Sequence, residues 1–356
     1  MEAIPVTLIT GFLGSGKTTL LNHLLRDPGM ADTAVVINEF GEIAIDHLLV
    51  ETALENTLVL QSGCICCTIR GDLVDTLTDL VGKMQRNEIP AFSRVAIETT
   101  GLADPAPVLQ TLASEPLLKD KFVLRAVVTT VDCVNAASQM SRFPEASKQV
   151  ALADVLVLTK ADLANESSKS LLEAKLRETN PGAARISVTN GEISPDVLFS
   201  HVVARHDDPQ TVLAWIAADA FQKDVAQHHA HDHAHAHDHG HREASSHDDP
   251  NRHGEHIHAF CIFLDQPISM SALKRWLAAI TSLRGEDMLR MKGIFNVEGE
   301  DAPIVVHGVQ HLLHPILRLP RWPDQDRQSR IVFITRNIPE AALKNSLLAL
   351  VTPAVS

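Results

Sequence analysis

Short apolar runs rich in β-branched residues alternate with helix-like stretches through the first half of the chain. The runs span residues 4–9, 34–37, 57–60, 95–97, 123–131 and 155–158. They are nearly continuous, which is the pattern of strands buried on both faces of a sheet. Helical patterns at 20–25, 73–84, 106–112 and 171–176 fall between them. Alternating β and α predicts a mostly parallel sheet with right-handed crossovers and helices on both faces. Ligands of such α/β sheets sit at the carboxyl ends of the strands. The pattern changes beyond residue 257. Residues 259–264 alternate like a half-buried strand, and Leu273, Trp276, Leu277 and Ile280 form a helix stripe. Residues 288–297 and 304–309 read as a hairpin, and 331–335 as a further strand. Pro339 can start a last helix carrying Leu343, Leu347 and Leu350. A smaller α+β sandwich of ferredoxin-like order is the expectation there.

Length and charge narrow the picture. A chain of 356 residues exceeds a comfortable single core, so two domains are expected. We place them at 1–205 and 257–356, with 206–256 as a linker. A hydrophobic share of 45% and a charged share of 21% fit an ordinary soluble globular protein. The net charge of −13 argues against nucleic acid and against an anionic membrane surface as partners. No apolar run can span a bilayer and no signal-peptide pattern opens the chain, so a cytoplasmic protein is expected. Of five cysteines, Cys64, Cys66 and Cys67 cluster, which suits metal chemistry in a reducing compartment better than a disulfide framework. Cys133 and Cys261 sit in apolar strand contexts and read as core.

The chemistry-bearing residues fall at the ends of the predicted strands. Residues 11–18, GFLGSGKT, follow the first strand and open a helix, the arrangement of a phosphate-binding P-loop. Gly11, Gly14 and Gly16 allow a tight turn that brings backbone N–H groups, including those of Ser15 and Thr19, toward phosphate oxygens. Lys17 supplies a charge for the β/γ-phosphates, and Thr18 a hydroxyl for Mg²⁺. The first domain is therefore expected to be a P-loop NTPase. After the second strand comes NEFGE, residues 38–42, placed like a nucleotide-sensing switch, with Glu39, Glu42 and Asp46 able to approach a metal. After the third comes GCICC, residues 63–67. Three thiols ahead of a helix select a soft or borderline ion such as Zn²⁺ over Mg²⁺. After the fourth comes ETTG, residues 98–101. Glu98, ending a buried strand, fits a Walker-B acid supporting Mg²⁺, and Gly101 can offer its N–H to a γ-phosphate. Asp104, beside Pro105, reads as a helix cap. Last comes TKAD, residues 159–162. In P-loop GTPases the corresponding motif is usually Asn-Lys-x-Asp; its lysine stem covers the base and its carboxylate accepts from guanine N1 and N2. Lys160 and Asp162 fit those roles, with Thr159 in place of Asn, and Asp162 argues for GTP over ATP. Residues 187–191, SVTNG, are candidates to close over the base.

Taken together, TGFLGSGKTTLL, NEFGE, GCICC, ETTGLADP and TKAD occur in the order seen in CobW-like metal-chaperone GTPases, and the chain resembles that family over nearly its whole length. The resemblance implies weak GTP hydrolysis to GDP with Mg²⁺, and GTP-dependent loading of a divalent ion on Cys64, Cys66 and Cys67. Delivery to a client metalloprotein would follow. Zinc is the ion it implies first, with cobalt or nickel as alternatives. A GTP-regulated zinc buffer or sensor that delivers nothing is the competing class. Glu39 is the candidate to orient the hydrolytic water, and self-association is left open.

Twelve of the nineteen histidines lie between His228 and His258. The segment 227–241, QHHAHDHAHAHDHGH, cannot bury a core and can capture divalent ions through neutral imidazoles. His307, His311 and His314 are spaced like a site but read better as packing or surface residues. Deleting residues 227–241 should leave thermal stability and GTP turnover near their starting values and lower the number of weakly held Zn²⁺ ions per chain. Equilibrium dialysis with excess Zn²⁺ checks this, and unchanged stoichiometry would reduce the tract to a spacer.

Overall fold

The computed structural model describes residues 3–37, 58–61, 69–202, 209, 212, 216 and 257–351. Its first sheet contains β1 (Ile4–Gly11), β2 (Thr33–Ile37), β3 (Leu58–Gln61), β4 (Arg94–Glu98), β5 (Phe122–Asp132), β6 (Val155–Thr159) and β7 (Ala184–Ser187). The spatial order is β3-β2-β4-β1-β5-β6-β7, and all neighbours are parallel. Around it lie α1 (Lys17–Leu25), α2 (Ile69–Gln85), α3 (Ala106–Ser114), α4 (Ala136–Arg142), α5 (Pro144–Leu152), α6 (Glu166–Thr179) and α7 (Pro195–Val202). On one face Leu8, Val36 and Ile97 pack against Leu77 of α2, Leu109 of α3 and Leu152 of α5. On the other, Ile9, Val35 and Val157 pack against Leu20 and Leu24 of α1 and Leu198 of α7. Successive strand residues such as Leu8 and Ile9 thus serve opposite layers, which is why the runs are apolar without alternation.

Local signals explain most helix starts. Pro144 occupies the first position of α5, where its missing N–H costs nothing. Asn165 caps α6 by accepting from the Ser168 N–H at 2.8 Å. The apolar pattern of the sequence does not reveal α4, α5 or α7. Two of them, α4 and α5, are short and carry small or polar residues where a Leu stripe would stand; α5 buries Ala146, Gln149 and Ala151.

The second sheet is antiparallel. It contains β8 (Ile257–Leu264), β9 (Met288–Phe295), β10 (Ile304–Val309), β11 (Leu312–Leu313), β12 (Leu317–Arg318) and β13 (Ser329–Arg336), with helices α8 (Met270–Arg284) and α9 (Glu340–Val351). The order is β11-β10-β9-β13-β8, with β12 pairing β10. The predicted β9–β10 hairpin is present. The ferredoxin-like expectation is corrected. The chain passes from β10 to β13 through two short strands, and the second helix follows β13 instead of preceding it. Both helices cover one face, where Trp276 and Leu277 of α8 and Leu347 of α9 meet Phe333 and Met291.

The opposite face is buried on the first domain. Leu289, Val309 and Ile334 share a cluster with Leu112, Leu118 and Leu152, so apolar packing runs across the boundary. Two basic side chains cross it as well. Arg290, 1% exposed, donates to the Leu152 carbonyl at 2.5 Å and pairs with the Asp154 carboxylate. Lys292 donates to the Gly182 carbonyl at 3.1 Å. Burial pushes the Arg290 pKa down to about 9, which still leaves it protonated at neutral pH. His307 lies 3.2 Å from the Arg290 guanidinium through Nε2 and stacks on His314 with centroids 4.3 Å apart, while His311 Nδ1 faces the Thr281 carbonyl. These three histidines pack and do not converge. Among the described residues no group of His, Cys, Asp or Glu is arranged to hold a metal, and no helix is long and apolar enough to cross a membrane.

Removing one partner of a buried ion pair strands the other charge. Asp154→Ala should therefore cost about 3–5 kcal/mol, Arg290→Met less, and the double variant less than Asp154→Ala alone. Urea unfolding of the full chain measures all three; additive losses would show that the pair is not coupled.

Candidate functional site

The cleft of interest opens at the carboxyl edge of the parallel sheet, beside β1, where the strand order reverses. It encloses about 350 Å³ and is lined by residues 13, 14 and 16–19 of the first loop and helix, Glu98 to Gly101 after β4, and Lys160 after β6. The predicted residues Gly14, Gly16, Lys17, Thr18, Thr19, Glu98, Gly101 and Lys160 are thus brought together from three separate stretches of sequence. Gly11 and Ser15 stand outside the lining and pack against Thr130, and the Ser15 N–H, expected to face phosphate, donates instead to the Phe12 carbonyl at 3.1 Å. Asp162 is exposed and stands outside the cleft lining. Glu39, Cys64, Cys66 and Cys67 fall outside the described residues, as does the histidine tract.

The loop conformation depends on its glycines at particular points. Gly11 has φ 144°, and a Cβ there would stand 2.2 Å from Thr130 Oγ1. Gly16 has φ 92° and begins α1 with no capping side chain, so the first-turn N–H groups face the cleft. The Lys17 ammonium folds back over the loop and donates to the carbonyls of Gly11 at 2.8 Å and Phe12 at 3.2 Å.

Neighbouring strands hold the loop in place. The Ser15 and Thr130 hydroxyls are 2.6 Å apart. Thr159 donates to the Ser15 carbonyl at 2.8 Å, so the residue that replaces Asn in the motif ties β6 to the P-loop. Thr99 donates to the Thr10 hydroxyl at 2.8 Å, joining the ends of β4 and β1. Gly101 packs so tightly that an added Cβ would lie 2.8 Å from the Leu13 backbone nitrogen. Gln149 of α5 then donates to the carbonyls of Gly101 and Ala103, at 3.2 and 3.0 Å. Asp104 accepts from the Ala106 N–H at 3.0 Å and pairs with Lys148 at 2.5 Å, one residue ahead of the N-cap position, which Pro105 occupies without a side-chain cap bond. Gly191, at φ 77°, brings the 187–191 loop against α1, where a Cβ would stand 2.9 Å from the Thr19 carbonyl.

One charged group escaped the sequence reading. Asp132, 2% exposed, ends β5 in register with Thr159. Its Oδ1 accepts from the Val134 and Asn135 N–H groups, at 2.8 and 3.2 Å. Its Oδ2 accepts from the Asn135 amide at 2.9 Å and from Lys160 at 2.8 Å. Burial opposes ionisation of this carboxyl, but the Lys160, Asn135 and Val134 hydrogen bonds outweigh it and hold its pKa below the usual carboxylate range. The same Lys160 ammonium donates to the Gly14 carbonyl at 2.8 Å. Lys160 has φ 55°, a left-handed conformation that costs a side-chain-bearing residue about 1 kcal/mol or more. The available signal was an acid closing a buried apolar run, the same signal that marks Glu98. Cys133, next in sequence, is a buried packing residue whose thiol pKa is raised by burial.

An N-terminal helix end, a lysine, a hydroxyl and a buried carboxylate in one cleft suit a nucleotide polyphosphate with a hard cation. Comparison with known proteins agrees. Residues 5–187 match the family described as CobW/HypB/UreG, nucleotide-binding domain, and residues 257–351 match the cobalamin synthesis protein cobW C-terminal domain. The chain is 33% identical over 352 residues to the protein named zinc chaperone YjiA of Escherichia coli, covering 98% of this chain and 99% of that one. It is 29% identical over 380 residues to the protein named zinc chaperone CobW of Pseudomonas aeruginosa, covering 98% and 91%. The crystal structure of the Zn(II)-bound E. coli YjiA GTPase superposes with a TM-score of 0.70 at 30% identity, covering 98% of this chain and 99% of that one. With one family match over most of the parallel sheet and another over the antiparallel one, the chain belongs to the CobW/HypB/UreG family of P-loop GTPases.

Proposed function

We propose that this protein is a zinc metallochaperone that couples GTP hydrolysis to loading and release of Zn²⁺ on Cys64, Cys66 and Cys67, and that it passes the ion to a client metalloprotein in the cytoplasm. The observation that carries the reading is the register at the sheet edge. Ile37 at the end of β2 pairs with both Glu98 of β4 and Gln61 of β3. The segments that contain Glu39 and the three thiols therefore depart from the same edge as the cleft. The names of two full-length relatives, both zinc chaperones, support zinc over cobalt or nickel.

Within the cleft the P-loop N–H groups and Lys17 hold the β- and γ-phosphates. The Thr18 hydroxyl and Glu98 carboxylate are oxygen donors of the kind Mg²⁺ takes, and that ion, when bound, neutralises charge at the β/γ bridge. The Gly101 N–H senses the γ-phosphate. The Lys160 stem covers the guanine and Asp162 accepts from its N1 and N2. Asp162 is exposed, so the nucleotide itself would bury it. Glu39 orients the attacking water. Loss of the γ-phosphate releases the loops that contact it, and the thiol site loosens with them.

Three thiolates leave one position of a tetrahedral zinc site open to water, to a switch acid such as Glu39 or Glu42, or to the client; if a switch acid supplies it, the site is complete only when γ-phosphate orders that loop. Zinc should then bind more tightly with a non-hydrolysable GTP analogue than with GDP, by roughly 1–3 kcal/mol of coupling, and zinc should raise affinity for the analogue by the same factor. A zinc-competition titration of the apo, GDP and analogue states of the full chain measures this. Cys66→Ala should remove the coupling and leave zinc-free nucleotide binding unchanged. Equal zinc affinity in all three states would favour a passive buffer.

The base assignment has its own check. Asp162→Asn should weaken GTP and favour xanthosine triphosphate, because an amide can donate to the xanthine carbonyl where the carboxylate could only accept. Unchanged GTP affinity by nucleotide displacement would remove Asp162 from base recognition.

A further inference from the structure

Asp132 is a buried, ionised carboxylate at the edge of the nucleotide cleft, and none of the roles proposed above uses it. It is fully engaged, with two backbone N–H groups on one oxygen and two side-chain donors on the other. Three of those four donors come from the turn that Asp132 itself begins. The fourth is the Lys160 ammonium, which crosses from β6 and continues to the Gly14 carbonyl of the P-loop. Lys160 lies in the left-handed region, so its backbone conformation needs support from its surroundings. Lys160 lines the cleft while its charged end is tied between β5 and the P-loop.

We propose that Asp132 is a positioning residue for the base end of the nucleotide site. It fixes the Lys160 ammonium so that the lysine methylenes form a rigid wall for guanine, and it locks that wall to the P-loop through Gly14. This rests on the reading that the Lys160 stem lies against the base. A half-exposed lysine with a single carbonyl anchor would sample several rotamers, and ordering it would then cost binding free energy each time a nucleotide enters. A carboxylate on a rigid strand end removes that cost in advance, and it does so without touching the nucleotide.

Asp132→Asn retains the oxygen that accepts from Val134 and Asn135 and removes the charge that holds Lys160. In the full chain, release of a fluorescent GDP analogue followed by stopped flow should become about tenfold faster, the size of effect expected when a charge-assisted hydrogen bond is lost. In a Lys160→Ala background the same substitution should change the rate less than twofold, because no ammonium remains to be held. Asp132→Glu should restore part of the slow release. Equal acceleration in both backgrounds would overturn the proposal, since Asp132 would then act on the fold and not through Lys160. So would slow release in Asp132→Asn when Lys160→Ala releases quickly, and in that case the base reading stands. If Lys160→Ala itself releases GDP at the original rate, the base reading falls and the proposal falls with it. Should Asp132→Asn not fold, Lys160→Met carries the test. It keeps the stem and loses the held charge, so it should match the tenfold acceleration, and release at the original rate would refute the role of the ion pair.

Discussion

The structure depends on keeping one glycine-rich loop open at the end of β1. A P-loop must present most of its N–H groups to an anion, so few of them are satisfied internally (here the Ser15 N–H donates to the Phe12 carbonyl at 3.1 Å), and its glycines give it little intrinsic stiffness. Rigidity has to come from outside. Here the Thr130 hydroxyl meets Ser15, Thr159 holds the Ser15 carbonyl, Lys160 holds the Gly14 carbonyl and Gly101 presses on Leu13. Three strand ends therefore brace the loop. The braces from β4 and β6 also carry or adjoin residues proposed for nucleotide contact, which gives the loops after those strands a direct mechanical relation to the phosphate site.

The second domain bears on this arrangement from the opposite end of the same strands. Asp154 stands just before β6, where its carboxylate accepts from the Val127 N–H at 3.0 Å and pairs with Arg290. Thr159 and Lys160 stand at the other end of that strand. Burying Arg290 and Lys292 at the boundary is costly unless they find polar partners; burial and the neighbouring Arg290 push the Lys292 pKa well down, and backbone carbonyls at Leu152 and Gly182 supply part of that need. Partners this specific fix how the two sheets meet more tightly than apolar contact alone would, because displacement would strand buried charge.

Much of the site was readable from the chain. Lys17, Thr18, Glu98, Gly101 and Lys160 each follow a recognisable apolar run, and the structure gathers them in one cleft. Residues closing such runs were legible when a motif drew attention to them. Asp132 closes one equally well and was overlooked, because its meaning comes from a lysine 28 residues away that only sheet pairing brings to it. Helix α5 was missed for a similar reason. Its buried residues mix Ala146, Lys148, Gln149 and Ala151 with Val150 and Leu152 near its end, which gives no helical stripe, and Gln149 matters only because the ETTG loop lies against it.

By itself the sequence determined most of the strands, the helices that carry an apolar stripe, and the chemistry of the motif-bearing loops. Local backbone preferences and apolar periodicity decide where strands and helices form, and the P-loop pattern follows from the steric freedom of glycine and the charge of lysine. The tertiary structure alone decided which strand ends are neighbours. It put Asp132 beside Lys160, seated Gly101 on Leu13, and turned Arg290 and Lys292 into a buried contact with the first domain. It also replaced the expected ferredoxin-like order with one in which the final helix follows β13. The physical reason is range: propensity and periodicity act over a few residues, whereas strand order and domain contact are settled by burial and charge pairing between residues far apart in the chain.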